Sequence, residues 1–260
     1  MSTTLITGAS EGIGAVYARR FAARGHNLVL VARNTEKLEA LAADLRAAHG
    51  IAVEVLTADL TDATHLGLVE KRLRDGAPID ILVNNAGAAL VGPFQGSAPE
   101  KMETLIRLNV TAPTLLASAA IGGMAARGSG AIINIGSVVS LMPAYFPGIY
   151  SATKSYILTL SQGLAAELGP KGIYVQAVLP AATRTAIWEK SGVDVEQIPN
   201  VMSVDDLVDA ALVGFDRREA VTIPPLADAG LWEAFEGARA TLPSGLGGAP
   251  AERYRVPVSA

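Results

Sequence analysis

Thr3-Thr4-Leu5-Ile6-Thr7-Gly8-Ala9-Ser10-Glu11-Gly12-Ile13-Gly14 is an apolar run rich in β-forming residues that meets a glycine cluster and opens directly into a helical pattern. The stretch reads as strand, turn, helix. Glycine admits positive φ in the turn and lets backbone approach a ligand, while the helix start offers unpaired N–H groups at the positive end of its dipole. Together they form an anion cradle. The spacing is Gly-x-x-x-Gly-x-Gly, not the Gly-x-Gly-x-x-Gly of the common dinucleotide fingerprint, so by itself the stretch also reads as a tight turn without a ligand. Its surroundings decide between the two.

Beyond the turn, Val16, Tyr17, Phe21 and neighbouring alanines predict a helix from about Ile13 to Arg24, stopped by Gly25. Leu28-Val29-Leu30-Val31 is apolar on both faces, the mark of a strand covered on both sides. Asn34 then caps a helix in which Leu38, Leu41, Leu45 and Ala48 recur at three- and four-residue steps up to Gly50. A strand from Ala52 to Thr57 runs into Asp59, Thr61 or Asp62 caps a helix to about Asp75, and Ile79 to Val83 is a fourth strand ending in Asn84-Asn85-Ala86-Gly87. Residues 88 to 98 read as a loop closed by a capping box, Ser97-Ala98-Pro99-Glu100, before a helix to about Arg127 that Pro113 kinks or splits. Ile132 to Ile135 is a fifth strand ending at Gly136-Ser137, followed by a helix from about Ile149 to Leu168 that Gly169-Pro170 terminates. Tyr174 to Leu179 is a sixth strand, residues 181 to 202 carry no pattern, and Ser203 caps a helix to about Arg218. A short strand, Ala220 to Ile223, and a weak helix, Ala229 to Ala240, precede a tail rich in Gly and Pro.

Alternating strands and helices imply a parallel sheet, because parallel strands need right-handed crossovers. The expected class is α/β, a single-domain, doubly wound, Rossmann-like sheet with helices on both faces, and 260 residues fit one such domain. Such sheets bind ligands at the C-terminal ends of their strands. That rim collects the glycine turn, Arg33, Asp59, Asn84 to Gly87, Ser137 and Pro180.

Composition excludes several function classes. The net charge of −4 and scattered Lys and Arg leave no basic footprint for nucleic acid or an anionic membrane. With no cysteine, disulfides, Cys-ligated metals and thiol nucleophiles are excluded, and His26, His49 and His65, expected at the surface, are too far apart in sequence to suggest a metal site. No apolar run of membrane-spanning length stands out, and the first strand begins almost at Met1, so a soluble cytoplasmic protein without signal peptide, metal or nucleic-acid partner is expected.

Tyr150-Ser151-Ala152-Thr153-Lys154 places a phenol and an ammonium on one helix face. An ammonium near a phenol favours the phenolate, which suits a tyrosine that exchanges protons near neutral pH, and Ser137 at a strand end can add a hydroxyl. Thr7-Gly8-x-x-x-Gly12-x-Gly14, Asn84-Asn85-Ala86-Gly87, Asn109, Ser137 and Tyr150-x-x-x-Lys154 occur in order along this chain. In that conjunction the sequence resembles the classical short-chain dehydrogenase/reductase (SDR) family over roughly residues 3 to 223. The resemblance implies a seven-stranded parallel sheet, a nicotinamide cofactor, and hydride transfer between the nicotinamide and a carbonyl or secondary alcohol. Residues 1–225 would form the dinucleotide-binding and catalytic domain, and residues 226–260 a C-terminal helix and tail of the same domain.

Carried over residue by residue, Tyr150 would be the acid in reduction and the base in oxidation. Lys154 would lower the Tyr150 pKa and bind the nicotinamide ribose, Ser137 would hydrogen-bond the substrate oxygen, and Asn109 would hold a water linking Lys154 to solvent. Cofactor contacts would come from Gly8, Ser10, Glu11, Gly12, Ile13 and Gly14 in the turn, Arg33 and Asn34 after the second strand, and Asp59 and Leu60 after the third. Asn85, Ala86 and Gly87, Tyr150 and Lys154, and Pro180, Thr183 and Thr185 complete the set. Arg33 stands where an acidic residue would select NAD, and a guanidinium there suits a 2′-phosphate, so NADP(H) is expected over NAD(H). Glu11 occupies a turn position that is often basic in NADP-preferring relatives.

Two departures stand out. Ala181 replaces the glycine that the family usually places after the proline of the sixth strand, and Val221-Thr222-Ile223-Pro224-Pro225 replaces a glycine-rich strand and Asp-Gly-Gly signature that support tetramers. A homodimer through the helices at 100–127 and 149–168, or a homotetramer, is the expected assembly. Leu90, Val91, Phe94, Leu141, Met142, Tyr145, Phe146, Ile187 and Trp188 suggest an apolar or aromatic carbonyl substrate or simply pack their loops, and residues 183 to 202 suggest a lid. The leading expectation is an NADP(H)-dependent ketone or aldehyde reductase. The alternatives are a catalytically silent NADP-binding regulator or scaffold and a different reaction on the same fold.

Overall fold

In the computed structural model, which describes residues 1–90, 92, 94–144, 148–186 and 194–255, seven strands form one parallel sheet in the order β3-β2-β1-β4-β5-β6-β7. They are β1 (Thr3–Thr7), β2 (Asn27–Ala32), β3 (Val53–Thr57), β4 (Ile81–Asn84), β5 (Gly130–Ile135), β6 (Ile173–Val178) and β7 (Val221–Thr222). Alternate strand residues enter opposite cores. Ile6, Leu28, Leu30 and Ile133 pack with α1 (Gly12–Ala23), α2 (Thr35–His49) and α7 (Val204–Asp216). Leu5, Val29, Val31 and Ile132 pack with α3 (Ala63–Asp75), α5 (Ala112–Arg127) and the end of α6 (Ile149–Leu168). A strand buried on both faces must be apolar throughout, which is why these runs do not alternate with polar residues.

The helix starts follow side-chain caps. Asn34 accepts from the Lys37 amide at 2.9 Å, Asp62 from His65 at 2.9 Å and Ser203 from Asp206 at 3.0 Å, so Asp62 rather than Thr61 caps α3. The capping box expected at Ser97 is corrected. The cap falls on Ala98, whose methyl group accepts nothing, and α4 (Pro99–Ile106) begins on the proline, which needs no N–H at that place. His26 is corrected from the surface to a half-buried position, where its Nδ1 is 2.9 Å from Thr4 Oγ1 and its ring packs on Phe21.

Pro113 does not break the long helix. The chain stays helical from Pro99 to Arg127 through a π-helical turn, Arg107–Thr111, in which the Ala112 amide bonds the Arg107 carbonyl. Pro113 lacks the N–H that would reach the Asn109 carbonyl four residues back, and its ring crowds that carbonyl, so one wider turn absorbs the mismatch. By length and composition alone, Pro99–Arg127 is apolar enough to cross a membrane, a qualification of the expectation above. Its Ala112, Leu116, Ala120 and Met124 face is buried against the sheet and α3, as in the core helix of an α/β fold.

The segment after β6, expected to be patternless, is pinned at its base. Met202 donates to the Ala182 carbonyl at 2.9 Å and Arg184 to the Met202 carbonyl at 3.0 Å. The lid expected over residues 183–202 falls in part on residues 187–193, outside the described residues. The chain divides after Pro225 into two compact units. The second, Leu226–Ala260, consists of α8 (Ala229–Thr241), capped by Asp228 and carrying a stacked Trp232–Phe235 pair, and two short 3₁₀ turns.

Candidate active site

Gly8 sits at φ +66°, and a Cβ there would lie 2.7 Å from Asn85 Nδ2; a Cβ on Gly14 would collide with the Gly8 carbonyl. Neither position admits a side chain, so the turn folds tightly against α1. Across the gap between β1 and β4, Thr7 Oγ1 accepts from the Asn85 and Ala86 amides, both at 3.0 Å, and Asn85 Nδ2 donates to the Thr7 carbonyl at 2.8 Å. This latch closes the turn at the two central strands, where successive crossovers run to opposite sides of the sheet. The N-cap of α1, Glu11, makes no side-chain cap bond, which leaves the first amides of the helix to an anion.

At the end of β2, Arg33 is 73% exposed in its side chain and lies 4.0 Å from Asp59. Lys37, in the first turn of α2, reaches back to Glu11 with Nζ 2.7 Å from Oε2, so the carboxylate at the turn is held against an ammonium. Burial works against ionisation of Asp59, but bonds from the Thr61 amide at 2.9 Å and hydroxyl at 2.7 Å, with Arg33 nearby, hold its carboxyl below the usual range.

The reactive set lies on the other side of the latch. Ser137, just past β5, donates to the Pro180 carbonyl at 3.3 Å and accepts from the Val139 amide at 3.3 Å, and it lines the same cleft as the Tyr150 phenol. Ser140 Oγ donates to the Ser137 carbonyl at 2.7 Å and Ser155 Oγ to the Ser140 carbonyl at 3.1 Å, which straps the post-β5 loop to α6. Lys154 is buried, with Nζ donating to the Ile135 carbonyl at 2.9 Å and 5.8 Å from the Tyr150 ring centroid. Burial pushes the phenol up to about 12 against the opposing pull of the Ser137 hydroxyl, and pushes the Lys154 ammonium down to about 8. The expected lowering of the Tyr150 pKa is therefore corrected for the protein alone: desolvation by burial sets the direction.

Asn109 lies on the π-helical turn, buried and away from the cleft wall. Its Oδ1 accepts from the Ala88 amide at 3.0 Å, while Nδ2 donates to the Ala88 carbonyl at 2.9 Å and to Thr153 Oγ1 at 3.2 Å. Thr153 in turn donates to the Tyr150 carbonyl at 2.7 Å, so Asn109 clamps the chain after Gly87 to α6.

A cleft brings together Ile13, Asn85, Gly87, Ser137, Tyr150, Lys154, Pro180, Thr183 and Thr185. Gly12 borders an adjoining hollow with Arg19, Arg184 and Thr185. Gly8, Ser10, Glu11, Arg33, Asn34, Asp59 and Ala86 stand at strand ends away from the cleft wall, and Gly14 and Leu60 are buried. Sequence reasoning missed Ala88, Ala89, Val138 and Val139 on that wall, whose signal was adjacency to Gly87 and Ser137. Leu90, Phe94, Leu141 and Met142 are not among the described lining residues; Phe94 and Met142 are exposed. Val91, Tyr145, Phe146, Ile187 and Trp188 lie outside the described residues.

A family model described as short chain dehydrogenase matches residues 2–196. A solved short-chain dehydrogenase from Sphingobium yanoikuyae, in complex with NADPH, is 58% identical with a TM-score of 0.96, covering 98% of this chain and 100% of its own. The bulky-bulky ketone specific alcohol dehydrogenase from Comamonas testosteroni is 51% identical with a TM-score of 0.91, covering 98% of both chains. Among curated proteins, 17-beta-hydroxysteroid dehydrogenase type 3 of Homo sapiens is 35% identical over 185 residues, 70% of this chain and 59% of that protein. The chain spans less than two thirds of the length of the curated relatives it matches.

Proposed function

The chain belongs to the short chain dehydrogenase family, and on that footing we propose that it is an NADP(H)-dependent oxidoreductase that interconverts a bulky, apolar ketone and its secondary alcohol. The observation that carries this reading is a single cleft lined together by Ser137, Tyr150 and Lys154. The cradle fits a dinucleotide: Gly8 and Gly12 hold positive φ, the first amides of α1 carry no side-chain cap, and Arg33 is exposed at the end of β2. Arg33, with Lys37 neutralising Glu11, would hold the 2′-phosphate, in keeping with the NADPH bound by the Sphingobium protein.

When bound, a dihydronicotinamide would supply the hydride for the carbonyl carbon, with the glycine turn, Arg33 and Lys154 to hold it. Ser137 and Tyr150 hydroxyls would together hold the carbonyl oxygen, which orients the reacting face. Tyr150 then gives its proton to that oxygen as negative charge develops, and a phenol pushed up to about 12 keeps the proton available throughout the neutral range. Lys154 balances the phenolate that remains. On the wall, Ala88, Ala89, Ala181 and Ala182 keep the cleft wide and apolar, and the Comamonas neighbour is specific for bulky-bulky ketones. The catalytically silent alternative is not favoured, because Ser137, Tyr150 and Lys154 all stand in the cleft.

The test is NADPH oxidation, followed by absorbance with NADH in parallel, against ketones bearing two large groups, small ketones and aldehydes. Turnover is expected with the bulky ketones and with NADPH over NADH, and Tyr150→Phe is expected to lower kcat by roughly 10² to 10⁴ while cofactor still binds. Tight NADPH binding without turnover of any carbonyl would overturn the reading.

A further inference from the structure

A line of buried side chains crosses from the glycine-turn half of the domain to α6. Asn84, the last residue of β4, Asn134 on β5 and Ser161 on α6 are each at most 6% exposed, and Asn84 and Asn134 are register partners in the sheet. Asn84 Nδ2 donates to the Pro113 carbonyl at 3.3 Å and to Asn134 Oδ1 at 2.9 Å; Asn134 Nδ2 donates to Ser161 Oγ at 2.9 Å; Ser161 Oγ donates to the Ile157 carbonyl at 2.7 Å. The Pro113 carbonyl fixes the direction of the whole series. Only an NH₂ can face it, so Asn84 donates, Asn134 presents its oxygen to Asn84 and its nitrogen to Ser161, and the serine proton goes to backbone.

The placement of these bonds matters more than their number. Asn134 is adjacent to Ile135, whose carbonyl receives Lys154 Nζ, and Lys154, Ile157 and Ser161 follow one another at helical spacing on the buried face of α6. Helix α6 thus meets β5 at two consecutive residues, through the Asn134 side chain and through the Ile135 carbonyl. At its other end the series reaches Asn84, whose neighbour Asn85 latches the glycine turn. A smooth apolar contact would let α6 slide or roll by fractions of an ångström; a buried amide–hydroxyl bond permits one register.

We propose that Asn134 and Ser161 are positioning residues, which fix the register of α6 on β5 and thereby the place of Lys154 beside Tyr150. The proposal rests on the reading of Tyr150 and Lys154 given above. Neither positioning residue lines the cleft.

Ser161→Ala removes one oxygen and leaves the Asn134 amide short of a partner. Asn134→Leu/Ser161→Ala removes both ends of the bond to α6 and leaves Asn84 Nδ2 only its Pro113 carbonyl, so circular dichroism first establishes that each variant is folded. In both variants kcat is expected to fall by roughly ten- to a hundredfold, the scale of a misplaced reacting group. The limb of the pH–rate profile that reports the Tyr150–Lys154 pair is expected to move by about half a unit or more. Ser161→Thr, which keeps the hydroxyl, is expected to restore the wild-type profile. A purely structural role would change the folded fraction, and so the amplitude of activity, with the pH profile in place. That result, or a folded double variant with wild-type kcat, would overturn the proposal. The underlying reading fails separately, if Tyr150→Phe turns over bulky ketones as fast as the unaltered protein.

Discussion

Burial acts on Tyr150 and Lys154 in opposite senses, because it penalises whichever form of a group is charged. Burial holds the phenol's proton up to about 12 and lets the amine shed its own near 8. NADPH is an anion, and Lys154 attracts it only when protonated. Its affinity is therefore expected to be full below about pH 8 and to weaken as pH rises through that value, by up to tenfold per unit. Fluorescence titration of NADPH from pH 6 to 10 checks this, with Lys154→Met expected to flatten the curve; a flat curve for the unaltered protein would refute it. Ser137, Tyr150 and Lys154, which one cleft holds together, were legible as candidates from the conjunction of motifs that resembles the family. Their protonation was not, since desolvation depends on which strands and loops close over α6. Phe94 and Met142, read either as substrate contacts or as loop packing, are exposed and absent from the described cleft wall, because hydrophobic character does not tell a cleft wall from an exposed loop side chain.

The π-helical turn at Arg107–Thr111 is the least regular of the elements that carry site residues, and it carries Asn109. An α-helical path would rotate the following residues and withdraw Asn109 from Ala88 and Thr153. Pro113→Ala supplies the missing N–H and removes the ring from the Asn109 carbonyl, which favours the ordinary helix. The expected result is a thermal midpoint equal to or above that of the unaltered protein together with a kcat lowered by about tenfold or more, since Asn109 no longer clamps the Tyr150 end of α6. Differential scanning calorimetry and steady-state rates read the two effects; unchanged kcat would count against the assignment. Pro113 was visible in the sequence as a disturbance. The turn type was not, because a proline at that place is absorbed by a kink, a break or a wider turn according to how the two halves pack. The displaced cap at Ala98 has the same origin: Ser97-x-x-Glu100 satisfied the pattern, but Pro99 set the first helical residue.

Both cores, the latch and the described lining of the cleft lie within residues 1–225, the first of the two compact units. A chain ending at Pro225 is therefore expected to fold cooperatively and to bind NADPH within about threefold of the full-length Kd, as read by circular dichroism and fluorescence titration; an unfolded fragment would refute this. The doubly wound class was legible because strands buried on both faces read as unbroken apolar runs between amphipathic helices. The width of the cleft and the segment from Thr183 to Met202 were not, since both depend on contacts between residues distant in sequence. One of those distant pairs also bears on how the molecule is made. Thr7 and Asn85 close the glycine turn across 78 residues of chain. At roughly 5–20 residues per second on a ribosome, β1 waits about 4 to 16 seconds for the strand that completes its turn. During that interval nascent β1 lacks its central neighbour, and the cradle is not a cradle. Cofactor capture is thus a late event in biosynthesis, and a chain able to hold NADPH has already brought its first strand and its fourth together.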